Sequence, residues 1–269
     1  MRVLLATIAL FAAVRMPAHT PNYEVFAIRY ATIPQFPVAS LVQGAEKDRK
    51  LDIAMMVWLV RGGGHNILVD SGFYRDDLIR QWKPADYVRP DAAVARAGVN
   101  ANEITDVIIT HAHWDHAGGA DLFPKATIWI QKAEYDYYST RAGKDGITKE
   151  DIDFFHRAND AGRLRLVDGD RQILPGINVY TGGRHTYASQ YIGVSAAHGP
   201  VILASDNVYL YENLDKHVPI AQTFDAVSNL AAQDRMKSLA GDVGSIVPGH
   251  DPAVMTRFPR VAEGVVRIR

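Results

Sequence analysis

Apolar and polar positions alternate along this chain in short runs, set between segments of helical spacing. Residues 23–30 alternate and are rich in branched and aromatic side chains, which predicts a strand. Apolar runs at 53–60 and 67–69 flank Gly62, Gly63 and Gly64, the pattern of a hairpin. Between the first strand and this hairpin, residues 31–50 hold Pro34, Pro37, Gly44 and a charged run at 46–50, and read as a solvated, irregular loop. Helical signals cover 76–82 and 91–97, the second closed by Gly98. A strand at 104–110 follows, then one at 127–130, a helix at 132–139 and another near 151–159. The second half brings strands at 177–181, 191–195, 201–204 and 244–247. A helix at about 225–240 has its apolar positions at Ala226, Leu230, Met236 and Leu239. Such alternation of strands and helices is the signature of an α/β fold, and no composition shift divides residues 21–269 into more than one domain.

Composition narrows the function. The 269 residues are 48% hydrophobic and 22% charged, with a formal net charge of −1, so no basic excess points to nucleic acid. Cysteine is absent, which excludes disulfides and thiolate ligands. The N-terminus stands apart: Arg2 precedes mostly apolar residues 3–14, then Arg15, Met16, Pro17 and Ala18. A positive start and a short apolar stretch predict a signal peptide over 1–20. That stretch is too short for a membrane anchor, and it implies a periplasmic or secreted protein. The alternative is a first buried element of a cytoplasmic protein.

The candidate chemistry sits directly after the strand at 104–110, where His111, His113, Asp115 and His116 fall within six residues. So many imidazoles and a carboxylate repel one another if charged and lack partners if buried; a divalent cation resolves both problems. Three further strands end in metal-type side chains: 177–181 before His185, 201–204 before Asp206, and 244–247 before His250. In α/β sheets, sites are built at this carboxyl edge. Gly183, close before His185, and Gly249, directly before His250, are expected to allow sharp turns. Seven ligands exceed the needs of one tetrahedral ion and suit two. His111, His113 and His185 would hold one, Asp115, His116 and His250 the other, with Asp206 bridging. Paired ions can polarise a carbonyl and lower the pKa of water from about 15.7 to roughly 7. Zinc is the default for nitrogen and oxygen ligands, with cobalt, iron or manganese as alternatives. His19, His65, His156, His198 and His217 match no ligand position.

In this order, the segments Ile67-Leu68-Val69-Asp70-Ser71-Gly72 and Thr110-His111-Ala112-His113-Trp114-Asp115-His116-Ala117-Gly118-Gly119, followed by His185, Asp206 and His250, resemble the metallo-β-lactamase superfamily. The resemblance implies a four-layer αββα sandwich with a dinuclear site at one edge. Within the superfamily the pattern is most similar to the N-acyl-homoserine lactone lactonases. Tyr209 stands three residues after Asp206, and residues 52–58 resemble their early apolar strand. True β-lactamases usually carry cysteine or serine where Asp206 stands.

The resemblance implies opening of an acyl lactone by a metal-bridging hydroxide. Tyr209 would hydrogen-bond the substrate carbonyl and Asp115 would return a proton to the leaving oxygen. Asp70 reads as an organiser of the site through hydrogen bonds to ligands. By position, Met55, Trp58, Tyr30, Ile33 and Phe36 are candidates for an apolar groove that takes the acyl chain. One departure concerns the loop at Arg184-His185-Thr186-Tyr187, where the family often has Gly-His-Thr-Pro-Gly-His; this loop bears on substrate identity. Other lactones, esters, thioesters, sulfate esters and β-lactams stay open as substrates, as do a non-catalytic metal-binding role and a homodimer.

Overall fold

A computed structural model describes residues 21–141 and 143–269. The expected signal peptide, and His19 within it, lie outside the described residues. The strands are β1 (Glu24–Pro37), β2 (Lys50–Gly62), β3 (His65–Val69), β4 (Asp106–Ile108), β5 (Thr127–Gln131), β6 (Leu164–Val167), β7 (Arg171–Leu174), β8 (Ile177–Thr181), β9 (Gln190–Val194), β10 (Val201–Ser205), β11 (Ile246–Pro248), β12 (Arg260–Ala262) and β13 (Val265–Arg267). They form an eight-stranded sheet in the order β12-β13-β1-β2-β3-β4-β5-β6 and a five-stranded sheet in the order β11-β10-β9-β8-β7. The helices are α1 (Asp76–Trp82), α2 (Pro90–Ala95), α3 (Trp114–Ala117), α4 (Lys132–Tyr138), α5 (Lys149–Asp160), α6 (Tyr211–Asp215), α7 (Ala226–Ala240) and α8 (Val254–Arg257).

The two-residue period of a strand separates two cores. On β2, Ile53, Met55, Val57 and Leu59 pack with α1, α2, α4 and α5 through Leu78, Val94, Tyr138 and Phe155. Their neighbours Ala54, Met56, Trp58 and Val60 face the other way, onto Val179, Ile192 and Leu203 of the smaller sheet. Beyond that sheet, α7 adds Ala232, Met236 and Ala240 to the second core. Helix, sheet, sheet and helix therefore stack in four layers, as the family resemblance implies.

Some elements depart from the hydrophobic pattern. β1 runs on to Pro37 through residues expected to be irregular, because register shifts between Arg29 and Ala31 and between Ile33 and Phe36 absorb extra residues. Its other neighbour, β13, pairs only as far as Ile28, so Pro34 costs no ladder hydrogen bond on that side. The buried face of α7 is Asn229, Ala232, Gln233, Met236 and Ala240, not the stripe through Leu230 and Leu239. Asn229 lies inside because its amide donates to the Asn207 carbonyl (3.0 Å) and its oxygen accepts from Ile220 N–H (3.0 Å). Polar contacts hold this helix against the loop that follows β10.

Among the described residues, no helix is long and apolar enough to cross a membrane. β3 through β6 run parallel. In the smaller sheet β10 and β11 are parallel, and β8 points the same way because each is antiparallel to β9. The carboxyl ends of β3 and β4 and those of β8, β10 and β11 thus each gather at one edge.

Candidate metal centre

Each of those strand ends delivers a chemically active side chain. The loop after β4 holds His111 and His113, and the short helix α3 carries Asp115 and His116 on one turn. His185 follows β8, Asp206 follows β10 and His250 follows β11. Ligand atoms of His111, His113, His185 and Asp206 lie within 4.8 Å of one another, as do those of Asp115, His116 and His250. Asp206 faces both groups. Its Oδ2 is 3.3 Å from His185 Nε2 and 3.6 Å from His111 Nε2. Its Oδ1 is 3.1 Å from His250 Nε2 and 3.3 Å from His116 Nε2.

Hydrogen bonds behind the imidazoles aim their free nitrogens inward. His185 Nδ1–H donates to the Gln222 carbonyl (2.8 Å), His250 Nδ1–H to the Ala54 carbonyl (3.0 Å) and His116 Nδ1–H to Asp70 Oδ2 (2.8 Å). Each ring then presents an Nε2 lone pair to the centre, the arrangement that outer partners impose on metal-binding histidines. His113 offers Nδ1, only 3.0 Å from His111 Nε2 and 2.9 Å from His185 Nε2.

Hydrogen bonding does not satisfy this centre. His116 Nε2 and Asp206 Oδ1 are buried without a hydrogen-bond partner. Burial pushes His111 well below the usual imidazole range, with His116 and His185 adding to the effect. Burial likewise takes His113 down to about 3, reinforced by His185. Burial also disfavours a charged His116, but the carboxylates of Asp206, Asp115 and Asp70 outweigh it and raise that imidazole. His111, His113 and His185 thus stand as neutral nitrogen donors, while around His116 and His250 the carboxylates call for positive charge that a bound cation would supply in place of the ring proton. Nitrogen and carboxylate donors of this kind suit a borderline divalent ion, and the residues fit two.

Asp70 is fully buried at the start of the loop after β3. Besides His116, its carboxylate accepts from Thr110 N–H (2.8 Å), the Thr110 hydroxyl (2.9 Å) and the Ser205 hydroxyl (3.0 Å). It so joins the ends of β3, β4 and β10. Asp70, Ser205 and Arg184 all adopt left-handed backbone, with φ of 59°, 47° and 55°. Such conformations cost about 1–3 kcal/mol each and persist where the surroundings enforce them. The glycines, in contrast, work through space: neither Gly183 nor Gly249 has positive φ. A Cβ on Gly249 would lie 2.6 Å from Asp206 Oδ1, and one on Gly183 2.5 Å from Asn229 Cα.

A cavity of about 250 Å³ opens onto the ligands, lined by His113, Asp115, Asp206, Tyr209 and His250 on one side. The rest of its lining is mostly apolar, Ile33, Phe36, Leu41, Ile53, Met55, Trp82 and Trp114, with Asp145, Gly146 and Gln222. Trp82 stacks on Trp114 (centroids 4.9 Å apart, planes 16° apart) and Phe36 on Trp82 (6.4 Å, 28°). The Tyr209 hydroxyl is 3.3 Å from His185 Nδ1, and burial lifts its pKa, with Asp206 and Asp115 adding to the rise, so it stays protonated.

Of the positions expected to form an apolar groove, Met55, Ile33 and Phe36 line this cavity. Trp58 does not. Three residues from Met55 on an extended strand, it points into the core between the sheets and is wholly buried there. Tyr30 is also fully buried off the cavity; its hydroxyl donates to the Asp115 carbonyl (3.3 Å) and supports the ligand loop from behind. Leu41, Asp145, Gly146 and Gln222 come from the loops at 31–50, 140–165 and 210–222, where the sequence leaves specificity, and Ile53 carried a signal as the residue two before Met55 on the same strand face; Trp82 and Trp114 were not singled out for the cavity. Of the histidines set aside, His65 pairs with Asp106 (2.9 Å) and His217 with Asp234 (2.9 Å), away from the centre.

Solved structures share this architecture. An N-acyl homoserine lactone hydrolase with N-hexanoyl-L-homoserine at its catalytic metal center superposes with a TM-score of 0.74 at 21% identity, covering 88% of this chain and 96% of that one. AidC, a dizinc quorum-quenching lactonase, does so with a TM-score of 0.65 at 19% identity, covering 86% and 88%. Among curated relatives, an N-acyl homoserine lactonase from a Bacillus species is 30% identical over 158 residues, 58% of this chain and 59% of that protein. The N-acyl homoserine lactonase AttM of Rhizobium johnstonii is 27% identical over 184 residues, 63% of this chain and 66% of that protein. The chain thus matches less than two thirds of these relatives' lengths. Residues 56–250, which include every proposed ligand, match the Metallo-beta-lactamase superfamily profile. With its four layers and its ligand-bearing strand ends, the chain belongs to the metallo-β-lactamase superfamily.

Proposed function

We propose that this chain is a metal-dependent hydrolase that opens the ring of N-acyl homoserine lactones, using two divalent ions, zinc by default. One observation carries the proposal: residues of both ligand groups, with Asp206 and Tyr209, line a single cavity together with seven apolar side chains. A substrate with a polar ring and an acyl chain matches that mixed lining. His111, His113, His185 and Asp206 Oδ2 would hold one ion; Asp115, His116, His250 and Asp206 Oδ1 the other. Bound there, the ions would supply Lewis acidity and water ionised near neutral pH.

The chain's own residues do the rest. The Tyr209 hydroxyl, kept protonated, donates to the substrate carbonyl oxygen as negative charge builds on it. Burial works against the charge on Asp115, but His116 and His250 outweigh it and hold the carboxyl below its ordinary range. As a carboxylate it can take the proton released by water and hand it to the ring oxygen as the acyl–oxygen bond breaks. Water adds across that bond and the product is the open hydroxy acid. The aromatic stack of Phe36, Trp82 and Trp114 shelters the acyl chain from solvent. Export to the periplasm or beyond belongs to the proposal through the leader-like residues 1–20.

The test is turnover by purified, zinc-loaded protein on acyl-homoserine lactones, simple γ- and δ-lactones, a β-lactam and a glutathione thioester. Preference for the acyl-homoserine lactones supports the reading. Turnover confined to another class would assign the site to a different ester or amide.

A further inference from the structure

Glu134, the third residue of α4, is completely buried, yet no charged partner counters its carboxylate among the described residues. Three donors hold it. Ala112 N–H (3.0 Å) and the Thr186 hydroxyl (2.7 Å) reach Oε1, and Ala188 N–H (2.7 Å) reaches Oε2. Ala112 sits between His111 and His113, and Thr186 directly follows His185. One carboxylate therefore ties the loop after β4 to the loop after β8, and these come from different sheets. Burial raises its pKa despite the three hydrogen bonds. An isolated buried carboxylate costs several kcal/mol unless its hydrogen bonds repay that cost.

The other ligand group is held by different partners. His116 is fixed by Asp70 and His250 by the Ala54 carbonyl; Glu134 bonds to neither imidazole nor to either partner, although Ala112 lies on the segment that leads to His116. We propose that Glu134 is a positioning residue for the His111, His113 and His185 group alone: it sets the separation of the two loops and hence the affinity of that group for its ion. The proposal rests on the reading that these imidazoles hold a divalent ion; it is independent of which substrate is turned over.

The test is titration of the metal-free full chain with cobalt(II), followed by visible absorption and by metal analysis after equilibrium dialysis. Glu134→Gln keeps the volume and one acceptor for Ala112 and Thr186, but sets its amide N–H against Ala188 N–H. Loss of a partner bonded directly to a ligand typically costs 10–100-fold in metal affinity; Glu134 acts through the neighbouring backbone, so about tenfold is expected. The expected result is that one equivalent weakens by that factor while the other keeps its affinity and its absorption band. Thr186→Val should give a smaller selective loss, and Thr186→Ser should restore wild-type binding. Two equivalents at wild-type affinity in Glu134→Gln would overturn the proposal, and so would equal weakening of both, which marks a general loosening of the fold. If Glu134→Gln does not fold, the Thr186 pair decides on the same criteria. No substrate enters the titration, so a wild-type chain inactive on lactones would end the lactonase reading without touching this one.

Discussion

Replacing Asp206 with asparagine keeps the side chain's volume but removes its charge and one of its two oxygens. In the native geometry Oδ1 lies 3.1 Å and 3.3 Å from the imidazoles of one group, and Oδ2 lies 3.3 Å and 3.6 Å from those of the other. An amide can present its oxygen to only one of them. The second group is left with three ligands and an N–H₂ pointing at the ion's position. Loss of an outer hydrogen-bond partner already costs 10–100-fold, so loss of a direct ligand should weaken one equivalent by about a hundredfold or more. At saturating metal, a hundredfold loss of affinity removes about 2.7 kcal/mol of ligand-linked stability. For a chain of this size that corresponds to a fall in Tm of roughly 5–10 °C. Thermal unfolding of wild type and Asp206→Asn should therefore diverge in excess zinc and largely converge in EDTA, while metal analysis drops from near two tight equivalents towards one. Two tight equivalents in the variant, or a Tm gap of the same size in EDTA, would refute the bridging role.

Tyr209→Phe should retain both ions and lower kcat on an acyl lactone by about a hundredfold, as loss of one oxyanion donor does; equal rates would remove Tyr209 from the chemistry. Met55→Ala and Trp58→Ala should part company, because the strand period sends them to opposite faces. The first should raise KM most for long acyl chains. The second should cost about 3–5 kcal/mol of stability, read from urea unfolding, with chain-length preference unchanged. Asp151 tests the reasoning on buried charge away from the metals. Burial lifts its carboxyl above the ordinary value, outweighing Arg75 at 2.7 Å and Thr148. The folded state then holds that proton more tightly than the unfolded one. Stability should fall as pH rises from about 4 through the lifted value, and then level off. In EDTA, Asp151→Asn should lack that slope; an identical slope would contradict the assignment.

The proposed ligands were legible because each stands just past an apolar strand, where a short hydrophobic run and one chemical side chain can be read together. Asp70 shares that property. Glu134 does not: its partners are backbone and hydroxyl groups 22 to 54 residues away, and nothing local marks it. Trp58 was readable in principle, since it differs in parity from Met55 on the same strand. The β12–β13 hairpin escaped because its short strands, with Arg260 and Val261 exposed at the sheet edge, carry little apolar pattern. The α7 face escaped for the opposite reason. Its inward side mixes Asn229 and Gln233 with apolar residues, and only contacts outside the helix, the Asn207 carbonyl and Ile220 N–H, explain why Asn229 is buried.

Each ligand group draws on both sheets: His111 and His113 with His185, and Asp115 and His116 with His250. With both proposed ions in place, the sheets would be stitched together at one edge by bonds far stronger than any contact between their apolar faces. A chain without cysteine has no covalent staple, and on the proposed ligand set coordination bonds would take that part. The two halves would then separate only as fast as an ion leaves. The lifetime of the folded chain in a protease-rich or chelating medium would be set by metal dissociation, a rate, more than by the depth of its free-energy minimum.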